Sequence, residues 1–376
     1  MKTYNLCYAF LALAFIGCTK SGSNDDSSDN LTKGNARYTV VLQDSETLST
    51  LGLKQGGDVL VGDDSTIAPF SSVKEPTVSY ESQGKWSHYS KQGNCEGKVT
   101  LFDFKEGSNI QFQVFNDLGN CNLQVNAILH TDHKIYLAYE IAVTHKLTYN
   151  YVRVFDLSTS GEDFRDIALF KKPLGLAFVN ERLFVLTQDT LFTGKNAFSV
   201  IDGNTDTVLY SDLLHSDVRQ IFEGPENTVI VSYDDLHMTI NGETLSLTTT
   251  KYGENTKPHF KESQSLQLDS SGKLYYTMPG GEYSNYPLIS AIYDFHENTA
   301  VLYAYENFLT EAQRDFEFEI ENTTMVSYDE ENDLLLIGYK KKGNQSRGGL
   351  IRIKTTPNPV LIDNTNLEGI PIKIFF

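Results

Sequence analysis

The chain has 376 residues and a formal net charge of −18, with 49 acidic against 31 basic side chains. So acidic a surface repels phosphate backbones and argues against nucleic-acid binding. Aromatics are 12% of the residues, 21 Tyr and 22 Phe against a single Trp, which suits β-structure and excludes a propeller built on Trp-Asp repeats.

Lys2 gives a positive start, and Leu6 to Ile16 is an apolar run of signal-peptide length, too short to span a bilayer as a helix. It leads into Ala14-Phe15-Ile16-Gly17-Cys18, which resembles a bacterial lipobox. That resemblance implies lipidation of Cys18; an ordinary signal peptide with an incidental Cys is the alternative. Thr19 to Asn35 is almost free of apolar residues and reads as a disordered tether. Within it, Asn24-Asp25-Asp26 resembles the acidic export signal of Bacteroidota lipoproteins, against the alternative of a generic polar linker. The expected organisation is a signal peptide over 1–17, a lipidated Cys and tether over 18–35, and one folded domain over 36–376.

The folded part is a repeat of β-hairpins. Leu176 to Gln188 is two β-rich runs joined at Asn180-Glu181. Similar units surround Gln83-Gly84, Asp132-His133, Glu226-Asn227, Ser271-Gly272 and Glu331-Asn332. The residues after these turns, Lys85, Lys134, Arg182, Thr228, Lys273 and Asp333, stand 49, 48, 46, 45 and 60 residues apart. One more step back reaches Arg37, which opens a second strand, Tyr38 to Gln43, that has no first. Third strands are expected at Gly57 to Val61, Lys98 to Phe104, Tyr151 to Leu157, Ala197 to Asp202, Ile289 to Phe295 and Gly349 to Lys354, with a poorer one near Met238. Weaker fourth strands follow, as at Ile110 to Phe115 and Ile167 to Phe170.

Four strands every ~45 residues predict an all-β fold, a β-propeller of seven four-stranded blades. The C-terminal run Ile370 to Phe376 has no hairpin partner, and it is expected to supply the missing first strand, closing the ring and removing two open edges. A six-bladed ring with Arg37 to Val61 as a peripheral ribbon is the alternative.

Cys95 and Cys121 are the only cysteines of the folded part. In an exported chain they suggest one disulfide, because both fall in loops of the same propeller face within one blade; two buried thiols are the alternative. The longest step marks an insertion, where Asn307 to Arg314 has the composition of a short helix.

The turns between first and second strands are tight, so their face is plain. The loops between second and third strands are longer: Asp44 to Gly56, Lys91 to Gly97, Ile141 to Asn150, Asp189 to Asn196, Pro279 to Pro287 and Lys340 to Gly348. A binding site is expected on their face. Tyr283 and Tyr286 can stack on a flat ligand there, or pack between blades. Lys340, Lys341 and Arg347 form a basic patch suited to an anion or an acidic partner, or a solvated loop. His145 and Tyr149 are further candidates for ligand binding.

His130-Thr-Asp-His133 lacks a third metal ligand, and Asp202-Gly-Asn-Thr-Asp206 lacks the spacing of a calcium loop and reads as a turn. No nucleophile elbow, phosphate loop or dinucleotide fingerprint is present, so no catalytic or metal residue is assigned and no cofactor is expected beyond the possibility of calcium.

Taken together, the lipobox-like Cys18, the acidic tether, the seven-fold repeat and the aromatic C-terminus resemble the surface propeller lipoproteins of Bacteroidota. The resemblance implies a monomer lipid-anchored in the outer membrane, on the cell surface or on the periplasmic side. It also implies a small-ligand-binding or accessory role beside a TonB-dependent nutrient or iron-chelate transporter. A propeller enzyme, lactonase-like or a lyase with a metal in the channel, is the other function class considered.

Overall fold

The computed structural model describes residues 36–376 except 66–68, 94, 120–121, 145–146, 160–162, 255, 261–262, 264 and 344–345. Blade one begins with β1 (Arg37–Asp44), β2 (Thr47–Gly56) and β3 (Val59–Gly62), with the short β4 (Val73–Lys74) paired to β2. Blade two is β5 (Val78–Ser82), β6 (Lys85–Lys91), β7 (Gly97–Asp103) and β8 (Ser108–Val114). Blade three is β9 (Leu123–His130), β10 (Lys134–Thr144), β11 (Leu147–Asp156) and β12 (Phe164–Leu169). Blade four is β13 (Lys172–Val179), β14 (Arg182–Gln188), β15 (Asn196–Asp202) and β16 (Val208–Leu213). Blade five is β17 (Gln220–Gly224), β18 (Thr228–Ser232), β19 (Leu236–Asn241) and β20 (Leu247–Lys251). Blade six is β21 (Leu266–Leu268), β22 (Lys273–Pro279), β23 (Leu288–Asp294) and β24 (Thr299–Tyr303). Blade seven is β25 (Ile320–Asp329), β26 (Leu334–Lys341), β27 (Gly348–Lys354) and β28 (Val360–Leu367).

The last strand, β29 (Ile370–Phe375), returns to blade one and pairs antiparallel with β1, giving the order β29-β1-β2-β3. The expected seven-bladed propeller closed by the C-terminal strand is therefore the observed fold.

Three of the hairpins turn through two consecutive residues of positive φ: Gln83-Gly84, Asn180-Glu181 and Glu226-Asn227. This is the backbone of a type I′ turn, whose twist matches that of the flanking strands. Burial follows position in the blade. The second strand β14 is buried over Leu183 to Thr187, since blades cover it on both faces, while every residue of the outermost β16 is exposed. The second strands thus read as continuous apolar runs, which is why they dominate the sequence pattern.

Two basic residues after the tight turns bind blade three to blade four and blade four to blade five. Lys134 Nζ donates to Gly203 O at 2.6 Å and to Asp206 at 2.9 Å. Arg182 donates to the carbonyls of Gly242 and Glu243 at 2.7 and 2.6 Å. The acceptors sit in the turn between third and fourth strands of the following blade. In five blades this turn is held by an Asx side chain accepting N–H groups two or three residues on: Asp103, Asp156, Asp202, Asn241 and Asp294.

The seam between blades seven and one holds a buried polar network. Tyr38 on β1 donates to Asp329 on β25 at 2.5 Å. Arg352 on β27 forms a two-pronged pair with Asp363 on β28, at 2.8 and 2.7 Å, and Asp363 also accepts the Leu60 N–H of β3. On the other side of blade one, Phe375 of β29 stacks on Phe104 of blade two, centroids 3.7 Å apart.

Several sequence expectations need correction. The third strand of blade one is Thr47–Gly56, and Val59–Gly62 is the fourth. Ser45 takes φ 56°, so Asp44 pairs with Thr47 in a tight hairpin and the expected loop Asp44 to Gly56 is mostly strand. Ile141 to Thr144 and Leu147 to Asn150 are likewise the ends of β10 and β11, with Ile141 opposite Tyr149. In the insertion, the expected helix over Asn307 to Arg314 is displaced: a 3-10 turn covers Tyr305–Asn307 and a π-helical turn covers Gln313–Glu317.

Candidate functional site

The innermost strands of blades six, seven, one and two (β21, β25, β29 and β5) surround a cavity of about 630 Å³. Its walls include Gln43 and Lys340 at the ends of second strands, and Ser265, Asn322 and Ile370 at the starts of first strands. Those strand ends lie on the face of the longer loops, while Glu81, Trp86, Ser327 and Ile374 lie toward the tight turns, so the cavity is a cup that runs from the mouth on the face expected to carry a site into the channel.

The lining is mixed. Ile370, Ile372, Ile374, Val326 and Leu48 give apolar wall, and Gln43, Glu75, Glu81, Gln267, Asn322, Lys340 and Lys373 give polar groups. Most of these are already engaged. Lys373 Nζ meets Glu81 Oε2 at 3.0 Å, Gln43 Nε2 donates to Glu75 at 3.1 Å, and Asn322 Oδ1 accepts the Leu288 N–H at 2.9 Å. Two deeply buried lining residues are not. The Trp86 indole N–H and the Ser327 hydroxyl, in residues 1% and 2% exposed, have no hydrogen-bond partner among the described residues.

Across the channel, the Tyr80 hydroxyl of β5 faces the Glu223 carboxylate of β17, and Glu223 Oε1 accepts the Phe178 N–H of β13 at 2.9 Å. Blades two and five are not neighbours, so this interaction spans the ring. Burial raises the pKa of both Tyr80 and Glu223.

Lys340 lines the cup, and its Nζ pairs with Glu321 at 3.1 Å. The rest of the basic loop is neutralised in place: Lys341 faces Glu319 at 3.9 Å, Lys342 meets Asp315 at 2.7 Å, and Arg347 meets Glu368 at 2.6 Å. Tyr283 is exposed on its loop, whereas Tyr286 is buried and packs edge-on against Tyr305 with centroids 4.9 Å apart. Tyr149 stands half-exposed near the end of the β10–β11 hairpin. His145, Cys121 and Cys18 lie outside the described residues, while Cys95 sits half-buried just before β7. Among the described residues, no group of three His, Cys, Asp or Glu side chains is arranged to hold a metal ion.

Sequence reading did not find Trp86, Glu81, Ser327 or Lys373. One signal was available. The tight turn at Gln83-Gly84 sets Glu81 directly opposite Trp86, so a carboxylate shares a blade face with the only Trp of the chain.

Fold and cup together define a seven-bladed β-propeller with a cavity in its channel. Among solved structures, a puromycin hydrolase matches with a TM-score of 0.51 at 9% identity, over 90% of this chain and 55% of that one. The chain therefore spans little more than half of that enzyme. AztD from Citrobacter koseri matches with a TM-score of 0.49 at 9% identity, over 90% of this chain and 96% of that one. At such identities the likeness extends to the fold. No family model and no curated protein sequence matches the chain.

Proposed function

We propose that this chain is a surface lipoprotein, anchored through Cys18 to the outer membrane, whose propeller binds a small polar molecule in the channel mouth and serves as an accessory to a TonB-dependent uptake system. The observation that carries the binding role is the 630 Å³ cup, where an apolar wall of isoleucines meets charged and amide side chains able to orient a polar ligand. Supporting the anchor are the lipobox-like residues before Cys18 and the polar tether after it. A diacylglycerol plus an N-acyl chain holds a protein stably at a membrane. A disulfide between Cys95 and Cys121 belongs to the same proposal, since it suits an oxidising compartment.

Two measurements test it. Fractionation of cells making the full chain should place it in the membrane fraction and the Cys18→Ala chain in the soluble one; equal distribution would refute the anchor. A thermal-shift screen of the full chain against sugars, peptides, ferric chelates and calcium should raise Tm with one class, since a ligand of the folded state stabilises it by mass action. No shift from any class would refute the binding role.

A further inference from the structure

The chemistry of the cup narrows its ligand to one class, an assignment that rests on the binding role proposed above. Glu81 and Lys373 meet inside it, each side chain about a quarter exposed, against a wall of isoleucines. Charges left only a quarter exposed lose part of their hydration, and well-packed apolar residues of similar volume are often as stable in such a place. Their presence points to use. A second carboxylate and a second ammonium, Glu75 and Lys340, line the same space, so the charged lining balances. A purely anionic ligand meets the two carboxylates, and a purely cationic one meets the two ammoniums.

Trp86 faces Glu81 across the β5–β6 pair. Its indole N–H can only donate, so the partner it lacks is an acceptor such as a ligand oxygen. Its ring is not a platform for a sugar. Phe102 stacks on it at 5.8 Å and Phe70 covers it at 6.0 Å, leaving the residue 1% exposed.

We propose that the cup recognises a zwitterion of the amino-acid or short-peptide class, its carboxylate held by Lys373 and the Trp86 N–H and its ammonium by Glu81. Binding opens the Glu81–Lys373 pair and replaces it with two charged contacts, while the isoleucine wall receives an apolar side chain.

Trp86 is the only Trp in the chain, so its emission reports on the cup directly. The full chain in mild detergent is titrated with an apolar dipeptide such as Leu-Leu, with its N-acetylated and C-amidated forms, and with a neutral disaccharide. The free dipeptide should give a saturable change, and each blocked form should bind about tenfold more weakly or worse, the scale of one charge-assisted hydrogen bond. Lys373→Gln should remove the penalty for amidation and Glu81→Gln the penalty for acetylation; folding of both is checked by near-UV circular dichroism. Equal affinity for free and blocked dipeptides overturns the proposal, as does discrimination that survives in both variants. Saturation by the disaccharide alone overturns it while leaving the binding role intact, and no saturation by any compound in this titration or in the thermal screen overturns both.

Discussion

Removing the C-terminal strand should open the ring. Ile374 and Phe375 are buried, at 2% and 3% exposure, and Ile370 and Ile372 pack partly against their neighbours. Burying one such side chain contributes roughly 1.5–3 kcal/mol. Five β1–β29 residue pairs add ladder hydrogen bonds worth roughly 0.5–1.5 kcal/mol each. Together these amount to about 8–15 kcal/mol, which is as much as the whole net stability of an ordinary domain, roughly 5–15 kcal/mol. A chain ending at Gly369 should therefore fail to fold, and a synthetic peptide of Ile370 to Phe376 supplied in trans should restore it in part. Phe375→Ala, which loses the stack on Phe104, should cost roughly 3–5 kcal/mol, whereas deletion of the half-exposed Phe376 alone should cost about 1 kcal/mol or less. Denaturant unfolding followed by Trp86 emission suits the assay, because Trp86 lies in the same apolar cluster as Phe375. An unchanged midpoint for the chain ending at Gly369 would refute ring closure by β29.

Arg352→Met leaves Asp363 buried without its ion pair and should destabilise by roughly 3–5 kcal/mol, read by denaturant unfolding; a loss under about 1 kcal/mol would contradict a stabilising role for this buried pair in blade seven. Burial pushes His88, His130 and His237 down to about 4, against an ordinary value of 6.5. Below pH 6.5 the unfolded chain binds protons that the folded chain refuses, so stability should be fully present above pH 6.5 and fall progressively toward pH 4. Tm measured across that window should drop, and His130→Gln should flatten part of the slope; a Tm independent of pH would contradict burial of neutral histidines. Cys95→Ser and Cys121→Ser should each lower Tm under oxidising conditions and leave it near the reduced wild-type value, the sign of a bond that constrains the unfolded chain.

Much of the architecture was legible because second strands are covered on both faces. Leu183 to Leu186 and Leu334 to Ile337 are continuous apolar runs that leave a strong imprint at each repeat. Closure was legible because Ile370 to Phe375 is β-rich and otherwise unpaired. What escaped lies where the pattern is weak. Thr47 to Gly56 mixes polar and apolar residues at intermediate burial, and its turn relies on Ser45 at positive φ instead of a glycine. Thr144 and Leu147 pair within the stretch Ile141 to Asn150 expected as a loop. The Asx turns that end the third strands recur in the sequence of blades two to six, from Asp103 to Asp294, whereas blade one turns there through Gly57 at positive φ and leaves the pattern.

The candidate site was legible only as a face. Lys340 stands out because it ends a second strand beside a long loop, but the basic patch around it is paired with Glu319, Glu321, Asp315 and Glu368, which lie far away in the chain or on other strands. Tyr286 reads as a ligand contact in the sequence, yet its ring is taken up by Tyr305. Glu81 and Lys373 come together across 292 residues of sequence, through ring closure alone. No local pattern announces such a meeting.

The cup itself is tested most directly by calorimetric titration of the wild-type chain and a Ser327→Phe chain with the compound that raises Tm most. Ser327 lines the cavity and is almost wholly buried, so the larger ring occupies ligand space. Saturable binding to the wild type and its loss in the variant, with native near-UV circular dichroism in both, is the expected result. Equal affinity in a natively folded Ser327→Phe chain would place the ligand elsewhere and contradict a binding site in the channel mouth.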